Sequence, residues 1–306
     1  MKIKVAIALA AMLSACSGST DPDPAPPQVA EPATAPQPTI STDGQDVSAL
    51  QMYVLDCGLI EISDIDAFSS AGDYAGQTDE FTDTCWLVRH PDGNFLWDLG
   101  LPTGMKGAGR QTNDVFTLSM ERTISDQLVE IGLFASDIDM VSISHSHFDH
   151  TGQIDQFPAA KWLVHADEYA AMFPAEETPT DDSETDAAAS AFIGFAALER
   201  QEFTGELDVF GDGSVIIIPT PGHTPGHTAL LVNLPEMGPV MLTGDLYHRR
   251  ESRELKRVPS FNSGANETIA SMDLFEARAA ELGARVIIQH DFDDIADLPK
   301  SPAPIR

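Results

Sequence analysis

Positive charge is scarce in this chain. Seventeen lysines and arginines face 48 aspartates and glutamates across 306 residues, a formal net charge of −31. A surface this acidic repels phosphodiester backbones, which excludes nucleic acid as a partner. It also disfavours strongly anionic substrates, except where bound cations dominate locally. Long apolar runs are missing as well: the run at residues 5–13 is too short to span a bilayer as a mature helix. Only three cysteines occur, none inside a ligand-like motif, so any metal must be held by nitrogen and oxygen. No segment repeats at a fixed period. The acidic run at residues 176–186 lacks EF-hand spacing and reads as a solvated loop.

What is present begins with an export signature. Lys2 and Lys4 precede the short apolar run, the pattern of a signal peptide. Leu13-Ser-Ala-Cys16 resembles the bacterial lipobox, which implies a lipid anchor on Cys16 as the membrane contact, and Ser17 implies transfer to the outer membrane, facing the periplasm. The alternative is an ordinary cleaved signal with an incidental cysteine. Residues 21–41 hold seven prolines, an extended segment that does not pack and serves as a tether. The chain thus divides into a signal peptide (1–15), a tether (16–48) and one folded domain (49–306), enough for a single large core. Cys57 and Cys85 bracket an insert, residues 58–84, between strand-like runs at 51–56 and 85–89. A disulfide in an oxidising periplasm and a pair of buried thiols both fit.

Histidine is concentrated where chemistry is expected. Of nine histidines, three fall with an aspartate in His145-Ser-His147-Phe-Asp149-His150. Residues 138–144 before it form a short β-branched run that reads as a buried strand. Positions i and i+2 of an extended chain point to one side, so His145 and His147 leave the strand end together and can hold one ion. Asp149 and His150 follow a turn and can hold a second. The form recurs three times. Val215-Ile-Ile-Ile218 leads through Gly222 to His223; Val240-Met-Leu runs to Gly244-Asp245; Arg285-Val-Ile-Ile leads to His290. Ligand types at strand ends suit α/β proteins, whose sites lie at the carboxyl edges of strands.

The set His145, His147, Asp149, His150, His223, Asp245 and His290, in this order along residues 52–291, resembles the metallo-β-lactamase superfamily. The Trp97-Asp98-Leu-Gly100 turn is similar to that family's early Asp-x-Gly, whose aspartate orients the metal loop. The resemblance implies an α/β fold, a single-domain αββα sandwich with two Zn²⁺ at one edge. It places His145, His147 and His223 on one ion, Asp149, His150 and His290 on the other, and Asp245 between them. A bridging aspartate is similar to glyoxalase II and the lactonases and unlike class B β-lactamases. The all-histidine metal loop differs from the flavodiiron branch and implies zinc rather than iron. The segment 83–102 and Pro219-Thr-Pro-Gly-His-Thr-Pro-Gly-His227 look most like the N-acyl-homoserine lactone lactonases. Those enzymes often carry a tyrosine three residues after the bridging aspartate; here that position is His248, with Tyr247 one step earlier.

Two ions about 3.5–4 Å apart share a water whose pKa falls to about 7, so a bridging hydroxide that attacks an ester, lactone or thioester carbonyl is the expected chemistry. Asp149 is then ligand and proton shuttle, and Tyr247 or His248 donates to the substrate oxygen. The favoured partner is a small neutral carbonyl substrate, an acyl-homoserine lactone, which would make the activity quorum quenching. A glyoxalase-II-like thioesterase, a β-lactamase and a non-catalytic zinc-binding lipoprotein remain alternatives. His227 reads as a brace of its turn, His165 as a structural residue and His90, beside a turn, as solvated. Helices are expected at residues 121–133 and 266–282, stopped near Gly132 and Gly283, and at residues 187–200. Phe192 and Phe195 on that last helix read as core. The sharper reading makes them, with Phe68 and Tyr74 of the insert, the walls of an acyl-chain pocket.

Overall fold

The computed structural model describes residues 49–174 and 192–306. The predicted signal peptide and tether, the acidic run at 176–186 and the start of the predicted helix 187–200 lie outside the described residues. Among the described residues no helix is long and apolar enough to cross a membrane.

The first half builds an eight-stranded sheet from β1 (Gln51–Ile62), β2 (Asp79–His90), β3 (Gly93–Trp97), β4 (Gln111–Asn113), β5 (Phe116–Ser119), β6 (Met140–Ser142), β7 (Lys161–His165) and β8 (Arg200–Phe203). Their order is β4-β5-β1-β2-β3-β6-β7-β8; β1 to β3 meander antiparallel and β3, β6, β7 and β8 run parallel. The second half adds β9 (Leu207–Asp208), β10 (Val215–Pro219), β11 (Thr228–Leu234), β12 (Gly238–Leu242) and β13 (Arg285–Ile287), in the order β13-β12-β11-β10-β9.

Alternation along the strands sets the layers. On β2, Trp86 and Val88 enter a core between the sheets with Val54, Trp97, Ile217, Leu230 and Leu242. Cys85 and Leu87 point the other way, under Ile124 and Leu128 of the helix Ile124–Ile131. On the far sheet, Leu231 and Met241 meet Met272 and Phe275 of the helix Ala265–Leu282. Helix, sheet, sheet and helix therefore stack as predicted. Both helices fall where their spacing predicts; the first is trimmed to the Thr123–Asp126 capping box at one end and Gly132 at the other.

Three expectations need correction. The insert at 58–84 is strand at both ends: β1 and β2 stay paired to Ile62 and Asp79, because a bulge between Asp56 and Gly58 absorbs the irregularity, and only residues 63–78 leave the sheet. Around residues 187–200 the described part is helical only over the turn Ile193–Ala196; Phe195 packs 4.8 Å from Trp162 in the outer core with Phe192 against that cluster, which bears out the core reading of both rather than the pocket one. His90 is buried, not solvated, stacked 4.1 Å from Phe210 with Nε2 3.0 Å from Asp212. Its cover arrives from a loop far along the chain.

Cys57 and Cys85 form a disulfide across the β1–β2 pair. It lies directly under Gly100, where a Cβ would sit 2.4 Å from Cys57 Cβ, and Gly100 takes a positive φ of 60°. The crosslink thus seats the turn that carries Asp98. It closes a loop of 28 residues, for which chain entropy predicts about 3–4 kcal/mol of stabilisation. A Cys57→Ser/Cys85→Ser variant is expected to unfold at lower denaturant with a somewhat steeper slope, because the uncrosslinked unfolded chain exposes more surface, read by urea melts.

Candidate metal centre

Each ligand-type side chain leaves a strand whose carboxyl end opens at the same edge. After β6 come His145 and His147, then the single helical turn Phe148–Thr151 with Asp149 and His150 on it. After β10 the chain turns at Gly222 (φ 129°) to reach His223; a Cβ there would stand 2.3 Å from the Thr268 amide, so the close approach to the helix Ala265–Leu282 requires glycine. Asp245 follows β12 and His290 follows β13.

These seven side chains converge as two donor sets. In the first, His147 Nδ1 lies 2.8 Å from His145 Nε2 and 3.0 Å from His223 Nε2, and the latter two are 3.2 Å apart. Asp245 Oδ2 stands 3.5 and 3.4 Å from His145 and His223. In the second, His150 Nε2 and His290 Nε2 are 3.3 Å apart, with Asp149 oxygens 3.8 and 3.9 Å away. Asp245 Oδ1 lies 3.2 and 2.9 Å from those two imidazoles. One carboxylate thus turns one oxygen to each set. Tetrahedral zinc with donors at about 2.0–2.1 Å keeps them about 3.3 Å apart, within the 2.8 to 3.9 Å seen here. Three imidazole nitrogens facing one another have no proton that all can share, whereas one cation satisfies them together. The donors fit a pair of divalent ions.

Electrostatics agree. Burial pushes His145 well below its ordinary value and takes His147 down to about 4, so both present lone pairs at neutral pH. Burial also opposes charge on His150 and His290, but carboxylates outweigh it. Asp98, Asp245 and Asp149 hold His150 well above its usual range, and Asp245 and Asp149 lift His290 to about 9. A divalent cation supplies the same compensation and displaces those protons.

Behind the donors lies a layer of braces, much of it missed by sequence reasoning. Asp98, itself at φ 59°, accepts from the Ser144 amide at 2.6 Å and from Gln289 Nε2 at 2.8 Å, and lies 3.1 Å from His150 Nδ1. Gln289 Oε1 accepts in turn from the Gly244 amide and Trp97 Nε1. His290 Nδ1 donates to the Thr82 carbonyl, and His223 Nδ1 to Asn262 Oδ1. His227 Nε2 accepts from the Asp245 amide, which puts its proton on Nδ1, toward the Thr220 carbonyl. It is the brace its spacing suggests. Buried Glu168 ties two ligand loops together by accepting from the Ser146 amide, Thr224 Oγ1 and the Gly226 amide. His165 caps the helix that presents it, as a structural residue should. Gln289 had a visible signal, its adjacency to His290; Glu168 and Asn262 had none, since only the fold brings them near.

Tyr247 and His248 part company. Adjacent residues on an extended stretch face opposite sides, and Tyr247 is extended (φ −138°, ψ 131°). Its hydroxyl donates to Glu276 at 3.0 Å within the outer core, and burial raises its pKa. The expectation of a catalytic Tyr247 is therefore corrected. His248 faces the centre, with Nε2 2.9 Å from Asp245 Oδ2 and its ring nearly parallel to His290. Phenylalanines surround that edge. Phe68 packs 4.9 Å from His248, Phe261 5.9 Å from His223, and Phe116 6.1 Å from Phe148. Phe148 and Phe261 remain exposed. Phe68 thus reaches the site as the pocket reading expected, whereas Tyr74 sits beneath the Arg249 guanidinium instead.

Comparison with known proteins places this geometry. The sequence model of the metallo-beta-lactamase superfamily matches residues 78–290. The N-acyl homoserine lactonase AttM of Rhizobium radiobacter is 30% identical over 267 residues, covering 83% of this chain and 97% of that protein. An N-acyl homoserine lactonase of a Bacillus species is 26% identical over 216 residues, covering 68% and 81%. Among solved structures, an N-acyl homoserine lactone hydrolase with the product N-hexanoyl-L-homoserine at its catalytic metal centre superposes with TM-score 0.70 at 23% identity, over 84% of this chain and 99% of that one. AidC, a dizinc quorum-quenching lactonase, superposes with TM-score 0.61 at 18% identity, over 83% and 92%.

Proposed function

Because the chain belongs to the metallo-β-lactamase superfamily and is a metallohydrolase of that fold, we propose that it is a dinuclear zinc lactonase that opens N-acyl-homoserine lactones. The observation that carries the reading is Asp245, one oxygen on each donor set. His145, His147 and His223 would hold one Zn²⁺, Asp149, His150 and His290 the other, and Asp245 both. Ions so held would supply a hydroxide nucleophile at neutral pH and polarisation of the substrate carbonyl. The chain's own groups do the rest. His248, whose Nε2 lies 2.9 Å from Asp245 Oδ2, would be the donor to a substrate oxygen once the cations take up that carboxylate. The Asp149 side chain is 12% exposed against 3% for Asp245, which makes it the carboxylate placed to pass a proton to the departing ring oxygen. The rim of Phe68, Phe116, Phe148 and Phe261 offers apolar and aromatic surface to an acyl chain. The net charge of −31 favours a neutral substrate.

Four substrates offered to the zinc-replete protein test this: N-hexanoyl-homoserine lactone, γ-butyrolactone, S-lactoylglutathione and nitrocefin. The acyl lactone is expected to lead, with kcat/KM above about 10⁴ M⁻¹s⁻¹. Turnover of the thioester or the β-lactam without lactone opening would overturn the assignment. Within the site, His248→Ala is expected to lower kcat/KM about 100-fold, as loss of one oxyanion donor does. Tyr247→Phe should remove only a hydrogen bond of about 1 kcal/mol from stability and leave lactone turnover as it was.

The reading extends to location. Export with a lipid anchor on Cys16, at the outer membrane facing the periplasm, rests on the lipobox-like Leu13-Ser-Ala-Cys16. The Cys57–Cys85 disulfide supports an oxidising compartment. Mass spectrometry of the mature amino terminus decides: a diacylated Cys16 supports the anchor, and a free terminus elsewhere contradicts it.

A further inference from the structure

We infer that Asp83 is an outer carboxylate of the second cation subsite and strengthens the binding of a divalent ion there. Asp83 lies on β2 and is 1% exposed. Neither of its oxygens receives a hydrogen bond from any described residue. A buried carboxylate without a partner destabilises a fold, so its place calls for a positive charge nearby. Among the charged groups that bear on it are Asp149, His150, His290 and Asp98, members of the second donor set and its brace. No described lysine or arginine donates to it.

The strand holds Asp83 against that set. Its neighbour Thr82 accepts from His290 Nδ1 at 2.9 Å, and Phe81, on the same face of β2 as Asp83, stacks 5.7 Å from the His290 ring. Across the β1–β2 pair its partner is Gly58, at the bulge, so no cross-strand side chain shields the carboxylate. Asp149, His150, His290 and Asp245 Oδ1 would hold a divalent ion that supplies the missing positive charge, with Asp83 an additional carboxylate on the strand beside them. The first set's three other donors are imidazoles.

This inference rests on the two-cation reading, and zinc chloride titrated into chelator-stripped full-length protein separates the two. Binding is followed by calorimetry in competition with a chelator, with melting curves of the stripped and loaded forms. Wild type is expected to take two equivalents. Asp83→Asn, the same shape without charge, should bind the first equivalent unchanged and the second about 10–100-fold more weakly. The melting temperature of the stripped variant should equal or exceed that of wild type, while its rise on zinc addition shrinks. A purely structural role predicts the opposite: a lower melting temperature without zinc and an unchanged rise. Asp83→Ser provides a second variant with the same expected pattern. Two equivalents bound by Asp83→Asn as tightly as by wild type, or equal weakening of both, would overturn the inference alone. A wild type that takes only one equivalent would overturn the two-cation reading and this inference with it.

Discussion

An Asp245→Ala variant is expected to lose at least about three orders of magnitude in lactone kcat/KM, about 4 kcal/mol of transition-state stabilisation, and to retain less than two equivalents of zinc after gel filtration. Its oxygens stand 2.9 to 3.5 Å from four ligand imidazoles, two in each donor set. No neighbour can replace it. The other carboxylate among the donors, Asp149, faces the second set alone. Truncation also removes the buried anion that His248, His150 and His290 hold ionised against burial. Asp245→Asn is the informative control, since it keeps the volume but loses the charge, while the hydrogen bond from the backbone amide to His227 stays in both variants. Metal content and turnover measured on the same preparation check the expectation; a fully active Asp245→Ala protein would remove the shared ligand from the account.

The second large effect belongs to a residue that touches no metal. Asp98→Ala is expected to lower stability by about 3–5 kcal/mol, since the Ser144 amide and the Gln289 side-chain amide are each left buried without an acceptor. For a domain of this size that corresponds to a fall in melting temperature of about 10 °C. The same change frees His150 Nδ1 and is expected to weaken zinc at the second set about 10–100-fold. Asp98→Asn separates the contributions: asparagine tolerates the left-handed backbone at φ 59° but cannot accept as an anion. It should therefore recover part of the stability and little of the affinity. Calorimetric melts of the stripped protein and zinc competition titrations read the two effects independently.

These contrasts show where sequence was legible. The four apolar strands ending in ligands could be read because a buried strand is a continuous β-branched run and the turn after it needs a glycine or a polar stop, both local properties. The helices Ile124–Ile131 and Ala265–Leu282 were legible for the same reason. The extension of β1 and β2 past Asp56 and Cys85 was not, since Asp79, Glu80, Thr82 and Asp83 break the apolar pattern, and only cross-strand pairing over a bulge makes them strand. Adjacency in sequence could not choose between Tyr247 and His248. Two consecutive extended residues face opposite ways, but which side is the centre is settled by the helix packed against Tyr247. His90, Glu168, Asn262 and Asp83 depend on neighbours brought from distant segments, so composition and spacing around them carry no trace of their surroundings.

The central claim is that these seven side chains enclose two divalent cations sharing Asp245. Anomalous diffraction at the zinc edge from crystals of zinc-replete protein tests it most directly. The account predicts two peaks about 3.5–4 Å apart, one among His145, His147 and His223 and the other among Asp149, His150 and His290, with Asp245 between them. A single peak at saturating zinc, or two peaks of which neither adjoins Asp245, would contradict it.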